Sequence, residues 1–346
     1  MRSFLRPMAG VTCLFALAVT GCSAGSDSTS DAAAPAESEQ ASSPSPSSSA
    51  TPSSTGTSYA PYVSAVEAND NDSAGSPATY NLAFVISGGS GCTPKWNGTN
   101  AIGDSAVKSR ISALTASGAT ARVSFGGASG KELAATCDSV SELTRAYGEA
   151  LDAAGSSQAD FDIEGDELTD ADSVALRSRA IAALQEERPD LEVSFTLPVM
   201  PSGLDADSLA LLTSANKYDV QVSTVNLMTM NYGESYAGDM GGYAITSATA
   251  AQAQLKKIFG TTDADAWKGM ALTSMIGTND VDNETFTLAD AAEVRTFAEE
   301  KGISWVSMWS TFRDQQCEDG SASDDALTNC SGVEQSAGAF AEAFSE

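Results

Sequence analysis

Three acidic residues alternate with two apolar residues in the segment Asp160-Phe161-Asp162-Ile163-Glu164. Successive side chains of a β-strand point to opposite faces, so on such a strand the three carboxyls share one face and the apolar pair shares the other. Burying three carboxyls side by side is costly, because desolvated like charges repel one another. The pattern therefore predicts a coupled proton system in which one carboxyl stays protonated near neutral pH. The alternatives are an edge strand with a solvated acidic face and a calcium site.

The composition of the whole chain narrows the chemistry further. Its 346 residues include 46 Asp and Glu, 18 Lys and Arg and no histidine, for a formal net charge of −28. Without histidine, Ser-His-Asp and Cys-His nucleophile systems, imidazole zinc sites and histidine proton shuttles are excluded. The acidity argues against a nucleic-acid partner, since no basic surface is available to displace phosphate counterions. Acid–base chemistry therefore falls to carboxylates, tyrosine or lysine.

The elements that must position these acids alternate along the chain from Tyr59 onward. Short apolar and β-branched runs predict strands, and amphipathic stretches that open with Asp, Ser or Thr predict helices. Eight strands with helical connectors predict an α/β protein, a single (β/α)8 TIM barrel, and no glycine fingerprint of a dinucleotide fold follows the first strand. The predicted strands are Ala60–Val66, Tyr80–Ile86, Thr120–Ser124, Asp160–Glu164, Glu192–Leu197, Thr224–Met230, Met270–Met275 and Trp305–Trp309. The predicted helices are Asp104–Ala116, Ser139–Ala154, Asp170–Glu186, Asp205–Ser214, Ala248–Phe259, Leu288–Lys301 and a closing helix over Ser336–Phe344.

Residues 1–22 are typical of an export signal. Arg2 and Arg6 precede a short apolar run that ends in the small residues before Cys22, and the run is too short to span a bilayer comfortably. The sequence Val19-Thr20-Gly21-Cys22 also resembles a bacterial lipobox, which predicts lipidation of Cys22. The alternative is an ordinary secretory signal with an incidental cysteine.

Residues 23–58 consist almost entirely of Ser, Ala, Pro, Thr, Gly and acids. Such a composition cannot bury enough apolar area to offset ordering, so it predicts a disordered tether. Residues 59–346 then form the folded domain. No later segment approaches 18 apolar residues, so any membrane association would come from the N-terminal lipid anchor alone.

Export is consistent with the use of cysteine. Cys13 leaves with the signal, and four cysteines remain beyond Cys22, which allow three connectivities. We favour the pairs Cys92–Cys137 and Cys317–Cys330, because each pair falls within one loop neighbourhood. The alternative, free buried thiols, is less common outside the cytosol.

Four motifs together resemble those of family 18 glycoside hydrolases, the chitinases and their relatives. The row of acids resembles the last three acids of the family signature Asp-Gly-x-Asp-x-Asp-x-Glu, and the resemblance covers roughly residues 60–320. Each motif falls in the expected order and near its expected strand. The other three are Val123-Ser124-Phe125-Gly126-Gly127, which resembles Ser-x-Gly-Gly, Met228-Thr229-Met230-Asn231-Tyr232, which resembles Met-x-Tyr, and Trp305-Val306-Ser307-Met308-Trp309 at the eighth strand.

The sequence departs from the family pattern in two places. Ser157 and Gln158 stand where the signature has its first acid and its glycine, a change that we expect to alter the support beneath the acid pair. Gly233 follows Tyr232 where many members carry an acid or amide, although Asn231 beside it can serve instead.

The resemblance implies a retaining mechanism in which the substrate acts as its own nucleophile. Glu164, nearest the C-terminal end of its strand, where barrel active sites lie, would protonate the glycosidic oxygen. The 2-acetamido carbonyl of the substrate would attack the anomeric carbon, and Glu164 would then activate water. Asp162 would orient the acetamido N–H, Asp160 would share a proton with Asp162, and Tyr232 would hold the acetamido oxygen.

The remaining motif residues are implied to contact or support the substrate. Trp309 would form an apolar floor under the sugar, although a buried tryptophan of any barrel would look the same. Ser124 would support the acids by hydrogen bonding, and the glycines would allow a tight turn. Neither a metal nor an organic cofactor is needed. The substrate-binding candidates are Trp309, Met230, Asn231, Ser124, Gly126 and Gly127.

The substrate implied is a polysaccharide that contains N-acetylglucosamine, namely chitin or chito-oligosaccharides, acted on by a monomer. The alternatives are an endo-β-N-acetylglucosaminidase on N-glycans and a non-catalytic, lectin-like chitin-binding barrel; such lectin-like relatives typically replace the terminal Glu of the signature. Only about 25 residues separate Asn279 from Trp305, enough for one helix. We therefore expect a shallow open groove and endo-type cleavage.

Overall fold

A computed structural model describes residues 56–89, 91–322 and 324–346. The predicted signal peptide, the lipidation site Cys22 and residues 23–55 of the predicted tether lie outside the described residues. Thr57 and Ser58, which we assigned to the tether, already belong to the domain: the Thr57 hydroxyl donates to the Ile303 carbonyl, and Ser58 begins a strand. Among the described residues, none of the helices is both long and apolar enough to cross a membrane.

Eight parallel strands form a closed barrel, as predicted. The first strand is split: its first half pairs with the last strand and its second half pairs with the second strand, which closes the sheet on itself. All eight fall at the predicted places, with ends that differ by up to two residues. The strands are β1 (Ser58–Tyr59 and Tyr62–Ser64), β2 (Thr79–Ser87), β3 (Thr120–Gly126), β4 (Gln158–Asp162), β5 (Glu192–Pro198), β6 (Val222–Met228), β7 (Met270–Met275) and β8 (Trp305–Trp309).

The connecting helices begin where capping residues occur in the sequence. The carboxylates of Asp104, Asp170 and Asp205 and the hydroxyl of Ser139 each accept a backbone N–H of the first helical turn, and the predicted starts there are correct to within one residue. The helices are α1 (Ser105–Leu114), α2 (Val140–Ala154), α3 (Gly165–Thr169), α4 (Ala171–Glu187), α5 (Ala206–Lys217), α6 (Met240–Phe259), α7 (Asp263–Lys268), α8 (Leu288–Lys301), α9 (Asp325–Thr328) and α10 (Ala339–Ser345).

The largest error of the sequence prediction is the start of α6. The helix begins at Met240, capped by Asp239, eight residues before the predicted Ala248. Gly241 and Gly242 lie in its first turn, and glycine disfavours helix when judged by propensity alone. The short helices α3, α7 and α9 and the two short hairpins, Pro94–Trp96 with Asn100–Ala101 and Gly277–Thr278 with Thr285–Phe286, were not predicted.

The barrel wall separates an apolar layer from a polar interior. Outward-facing aromatic side chains pack beneath the helices: Phe125 and Phe161 stack at 5.2 Å between ring centroids, and Tyr147 of α2 meets both rings edge-on. The inward-facing residues of the upper barrel are instead hydroxyls, amides and acids, all buried. The inward-facing set consists of Ser124, Asp160, Asp162, Ser194, Thr196, Asn226 and Thr273.

Two disulfides hold loops of the barrel, and they are the pairs that we favoured. Cys92–Cys137 joins the loop after β2 to the segment before α2, and Cys317–Cys330 closes a loop of the C-terminal region. Between β7 and β8 the chain forms one short hairpin and the single helix α8, so the predicted absence of a larger insertion there is confirmed.

Candidate active site

The acidic row lies at the C-terminal end of β4, on the inner face of the barrel. Phe161 and Ile163 are fully buried on the opposite face, as the alternation predicted. The strand ends at Asp162, but the chain stays extended because the Ile163 N–H donates to the Thr196 carbonyl of β5. Glu164 therefore continues the row and stands immediately before α3, partly exposed at the mouth.

Asp160 is the deepest of the three acids and is enclosed by hydroxyl groups. Ser124 and Tyr62 donate to its Oδ2 at 2.7 and 2.9 Å, while Ser194 and Thr196 donate to Oδ1 at 2.7 and 2.8 Å. Four donors from the three strands β1, β3 and β5 saturate both oxygens, the arrangement that suits a carboxylate without a proton of its own. Asp160 is therefore a fixed charge rather than a group free to move.

Asp162 and Glu164 form a second, different arrangement. The two carboxyls line the same cavity and interact with each other, and a hydrogen bond between two carboxyls requires one proton between them. Burial raises the pKa of Asp162 well above its ordinary value, and the charges of Glu164 and Asp160 raise it further. Burial also raises the pKa of Glu164, although the hydrogen bond with Asp162 opposes this and the charge of Asp280 adds to it. The pair therefore retains a proton at a pH where free carboxyls have lost theirs.

The two glycines after β3 let the chain pass close to the acids. Gly126 and Gly127 have φ values of +101° and +89°, in the left-handed region that favours glycine. A Cβ on Gly126 would lie 2.1 Å from the Asp162 carbonyl oxygen, and one on Gly127 would lie 2.8 Å from the Phe84 ring. The glycines thus fix the backbone beside the acid pair and leave room for an aromatic side chain.

A groove opens above the acid pair with an aromatic floor. The Phe84 and Trp309 rings stack at 5.5 Å between centroids, and the edge of Tyr62 meets Trp309 at 5.9 Å. The cavity directly over the acids measures about 110 Å³ and shares Phe84 and Trp309 with a neighbouring cavity of about 390 Å³. The first cavity is lined by Tyr62, Phe84, Ala128, Asp162, Glu164, Thr196, Met228, Met230, Asn231, Thr273, Met275, Asp280 and Trp309.

Of the predicted substrate-binding residues, Trp309, Met230 and Asn231 line this cavity. Three others do not line it. Ser124 is fully buried beneath Asp160, and Gly126 and Gly127 shape the backbone, so their part is support rather than contact.

Tyr232, the tyrosine implied to hold the acetamido oxygen, is not among the residues that line this cavity. Its side chain is buried and packs against Tyr236 and Tyr243 rather than lining the cavity over the acids. Burial raises the pKa of Tyr232 well above its ordinary value, so its hydroxyl keeps its proton at neutral pH. The reason is local: Asn231 has φ +55°, so the alternation of the strand ends before Tyr232 and its side chain turns to the core.

The departures from the family signature lie away from the acid pair. Ser157 is exposed just before β4, about 17 Å along the chain from Asp162, so the expected change in support beneath the acids does not occur there. Gly233 has φ +115°, and its N–H donates to Glu284 at 2.7 Å, a contact that anchors the loop after β6.

Sequence reasoning missed several side chains of the groove, among them two aromatic rings and one acid. Tyr62 and Phe84 come from β1 and β2, and Asp280 comes from the loop after β7. Arg122 was missed as well: its guanidinium is buried inside the barrel, donates to Asn81 at 2.8 Å and lies 4.0 Å from the Trp305 ring centroid. Burial lowers the pKa of Arg122, and the nearby charge of Asp160 opposes this.

The calcium alternative for the acidic row is disfavoured by geometry. Among the described residues, a group of acids close enough to hold a metal ion occurs at Asp239, Asp290 and Glu293, near the starts of α6 and α8. The row on β4 does not form such a group, because Asp160 is occupied by hydroxyls. A proton-sharing acid pair beneath a groove with an aromatic floor, at the C-terminal face of a barrel, is instead the arrangement of a glycoside hydrolase.

Comparisons with known proteins agree with this class. No family model matches the chain. The chain is 34% identical over 275 residues to a probable bifunctional chitinase/lysozyme of Escherichia coli and 33% identical over 248 residues to endochitinase 11 of Metarhizium anisopliae. These matches cover 74% and 68% of this chain, and the chain spans 31% and 47% of the lengths of the two relatives.

A solved structure extends the likeness over the whole barrel. Active domain 2 of a thermostable chitinase from Pyrococcus furiosus, complexed with chito-oligosaccharides, is 28% identical, with a TM-score of 0.72 over 83% of this chain and 92% of that chain. The chain therefore has the fold of the family 18 glycoside hydrolases, and it is a homologue of chitinases.

Proposed function

We propose that this protein hydrolyses β-1,4-linked N-acetylglucosamine polymers, chitin or chito-oligosaccharides, with retention of the anomeric configuration. The observation that carries the proposal is the contact between the Asp162 and Glu164 carboxyls, which keeps a proton at the mouth of the groove. The homologous chitinases support the substrate class. The domain of the Pyrococcus furiosus enzyme, solved with chito-oligosaccharides, supports it further.

In the first step Glu164 acts as general acid. With the sugar on the floor formed by Trp309 and Phe84, Glu164 donates its proton to the glycosidic oxygen, and the bond to the leaving sugar breaks. The carbonyl oxygen of the sugar's own 2-acetamido group attacks the anomeric carbon from the opposite face. Asp162 accepts the acetamido N–H and stabilises the positive charge of the resulting oxazolinium ring.

In the second step Glu164, now a carboxylate, takes a proton from water that attacks the same carbon, and the bond from that carbon to the acetamido oxygen breaks, which restores the acetamide. Two inversions at one centre give net retention. Asp160 takes no proton in this scheme, since four hydroxyls already occupy it. Its fixed charge raises the pKa of Asp162 and so favours sharing of the proton between Asp162 and Glu164.

The groove supports an endo mode of cleavage. The chain between β7 and β8 provides one helix and one short hairpin, so no additional lobe rises beside the groove there. A polymer can therefore enter along its length rather than by its end. Release of products of mixed length from a long chito-oligosaccharide tests this mode.

We further propose that the protein is an exported monomer anchored by lipid. The basis is the sequence alone: Arg2 and Arg6 before an apolar run, the lipobox-like residues ending at Cys22, and the polar stretch over residues 23–58. The two disulfides, Cys92–Cys137 and Cys317–Cys330, suit an oxidising compartment. Labelling cells with a radioactive fatty acid, with Cys22→Ala as the control, tests the anchor.

The decisive experiment on activity is the variant Glu164→Gln. The substitution is nearly isosteric but removes the proton donor, so we expect turnover of chitotetraose to fall by roughly 10²–10⁴-fold with folding unchanged. Asp166→Asn is the matched control, because Asp166 is an exposed acid two residues away in α3. Proton NMR of the first product formed should show the β-anomer.

Hydrolysis at the wild-type rate by Glu164→Gln would refute the assignment of the acid. An α-anomer as first product would refute the retaining mechanism, and binding of chitin without hydrolysis by the wild-type protein would make it a lectin-like barrel instead.

A further inference from the structure

Asp280 faces the acid pair from the opposite wall of the groove. It belongs to the loop after β7, whereas Asp162 and Glu164 belong to the end of β4, yet all three line the cavity over the acids. Its side chain is exposed, so it remains available to solvent and to a sugar. Neither the alternation of a strand nor a motif marks Asp280 in the sequence.

Hydrogen bonds hold Asp280 in this position. The Asp280 N–H donates to Oδ1 of Asn231 at 3.0 Å, and Nδ2 of Asn231 donates to Oδ2 of Asp280 at 3.2 Å. The preceding residue, Asn279, is buried and donates to the carbonyls of Met275 and Gly277. These two hydrogen bonds between Asn231 and Asp280 join the loops after β6 and β7 and hold the carboxylate of Asp280 in place.

The groups that face Glu164 are either acidic or uncharged. Asp162 and the deeper Asp160 come from its own strand, Tyr62 comes from β1, and Asp280 comes from the opposite loop. No lysine or arginine is among the residues that line this cavity. The guanidinium of Arg313 donates to the carbonyls of Thr278, Ala326 and Trp309 and forms no salt bridge with any acid of the described part of the chain. Burial lowers the pKa of Arg313 and the charge of Asp280 opposes this, so Arg313 is a cation that acts on Asp280 from outside the cavity lining.

We propose that Asp280 is a positioning residue of the active site, which holds Glu164 in its protonated form by placing a negative charge across the groove. This inference rests on the proposed function, since it assigns a partner to the same general acid. Glu164 must carry a proton when the substrate binds, and a nearby negative charge makes loss of that proton less favourable. The charge of Asp280 raises the pKa of Glu164, which agrees with this role.

The test is the pH profile of Asp280→Asn. A general acid gives an alkaline limb in kcat/KM, because activity is lost as the acid ionises. Removing the charge of Asp280 should lower the pKa of Glu164, so the limb should move to lower pH by roughly half a pH unit at low ionic strength. The same comparison at high salt should show a smaller displacement, because the exposed charge is then screened.

Asp282→Asn is the matched control, since Asp282 is an exposed acid two residues away that does not line the cavity. Its alkaline limb should stay at the wild-type position. If the limb of Asp280→Asn also stays there while wild type hydrolyses chitotetraose, the role of Asp280 is refuted and the proposed function stands. A loss of activity without displacement of the limb would make Asp280 a binding residue only, and would equally refute its effect on Glu164.

Direct titration separates this inference from the proposed function. Carbon NMR of carboxyl-labelled glutamate, with the Glu164 signal assigned through Glu164→Gln, reports the ionisation of Glu164 without any substrate. If wild type proves inactive on chitin oligosaccharides, a lower titration midpoint in Asp280→Asn still supports the electrostatic role of Asp280. An unchanged midpoint refutes it.

Discussion

The interior of the barrel and its mouth use the same residue type in opposite ways. Asp160 in the interior accepts four hydroxyl donors, and both of its oxygens are occupied. Asp162, two residues further along β4, is also buried, yet its Oδ1 has no hydrogen-bond partner within the described residues. Its contact is another carboxyl, that of Glu164.

The difference lies in the neighbours rather than in the acids. Hydroxyls from β1, β3 and β5 stabilise a charge in the interior, whereas at the mouth two acids must share a proton. A carboxylate whose two oxygens both accept hydrogen bonds from hydroxyls suits a structural role, whereas a pair of carboxyls without such donors suits proton transfer. The comparison predicts that equal Asp→Asn changes at the two positions affect different properties.

Of the Asp→Asn changes at these two positions, the loss of activity in Asp162→Asn should be the largest effect. The amide keeps the shape of Asp162 but cannot become negative, so it stabilises the positive intermediate less well and cannot exchange a proton with Glu164. We expect kcat on chitotetraose to fall by roughly 10²-fold, with residual activity that Glu164 provides. Asp166→Asn again serves as control, and a kcat within about twofold of wild type would place Asp162 outside the mechanism.

Much of the fold was predictable because its pattern is local. Eight apolar runs with capped helices between them predict the barrel, and the alternation in the row of acids predicts which side chains share a face. Helix starts at Asp104 and Ser139 were recovered because a capping side chain precedes each helix. The start of α6 was missed because two glycines in its first turn lower the helix propensity there, whereas tertiary packing stabilises the helix in the folded protein.

The site was predictable where strand alternation or a family-like motif marks its residues. Tyr62 and Asp280 join Glu164 from segments that are separated by about 100 residues in either direction, and no local pattern connects them. The role implied for Tyr232 came from the resemblance alone, which does not show that the chain leaves β6 at Met228 and turns at Asn231. Closure of the barrel, not sequence proximity, creates the groove.

The second effect is on stability and concerns Asp160→Asn. The amide nitrogen presents donors to two hydroxyls that now donate to an oxygen, so these hydroxyls must turn or remain unpaired. We expect the free energy of unfolding to fall by about 1–3 kcal/mol, measured by urea denaturation at neutral pH. If Asp160→Asn unfolds at the wild-type urea concentration, the hydroxyl cage contributes no net stability and the distinction between the interior and the mouth fails.

The smallest effect is a gain in stability in Asp162→Asn, and it depends on pH. The folded-state pKa of Asp162 is raised above the ordinary 3.8, so folding favours the protonated form. The stability that this contributes is present at low pH and is lost as pH rises through the folded-state pKa. The amide mimics the protonated form at every pH.

Relative to wild type, Asp162→Asn should therefore be more stable by about 1 kcal/mol near neutral pH, and this difference should shrink as pH falls toward about 4. Urea denaturation of both proteins across that range measures it. A variant that is less stable than wild type at neutral pH, or a difference that grows as pH falls, would mean that Asp162 is held as a carboxylate like Asp160, and the two regions would then not differ.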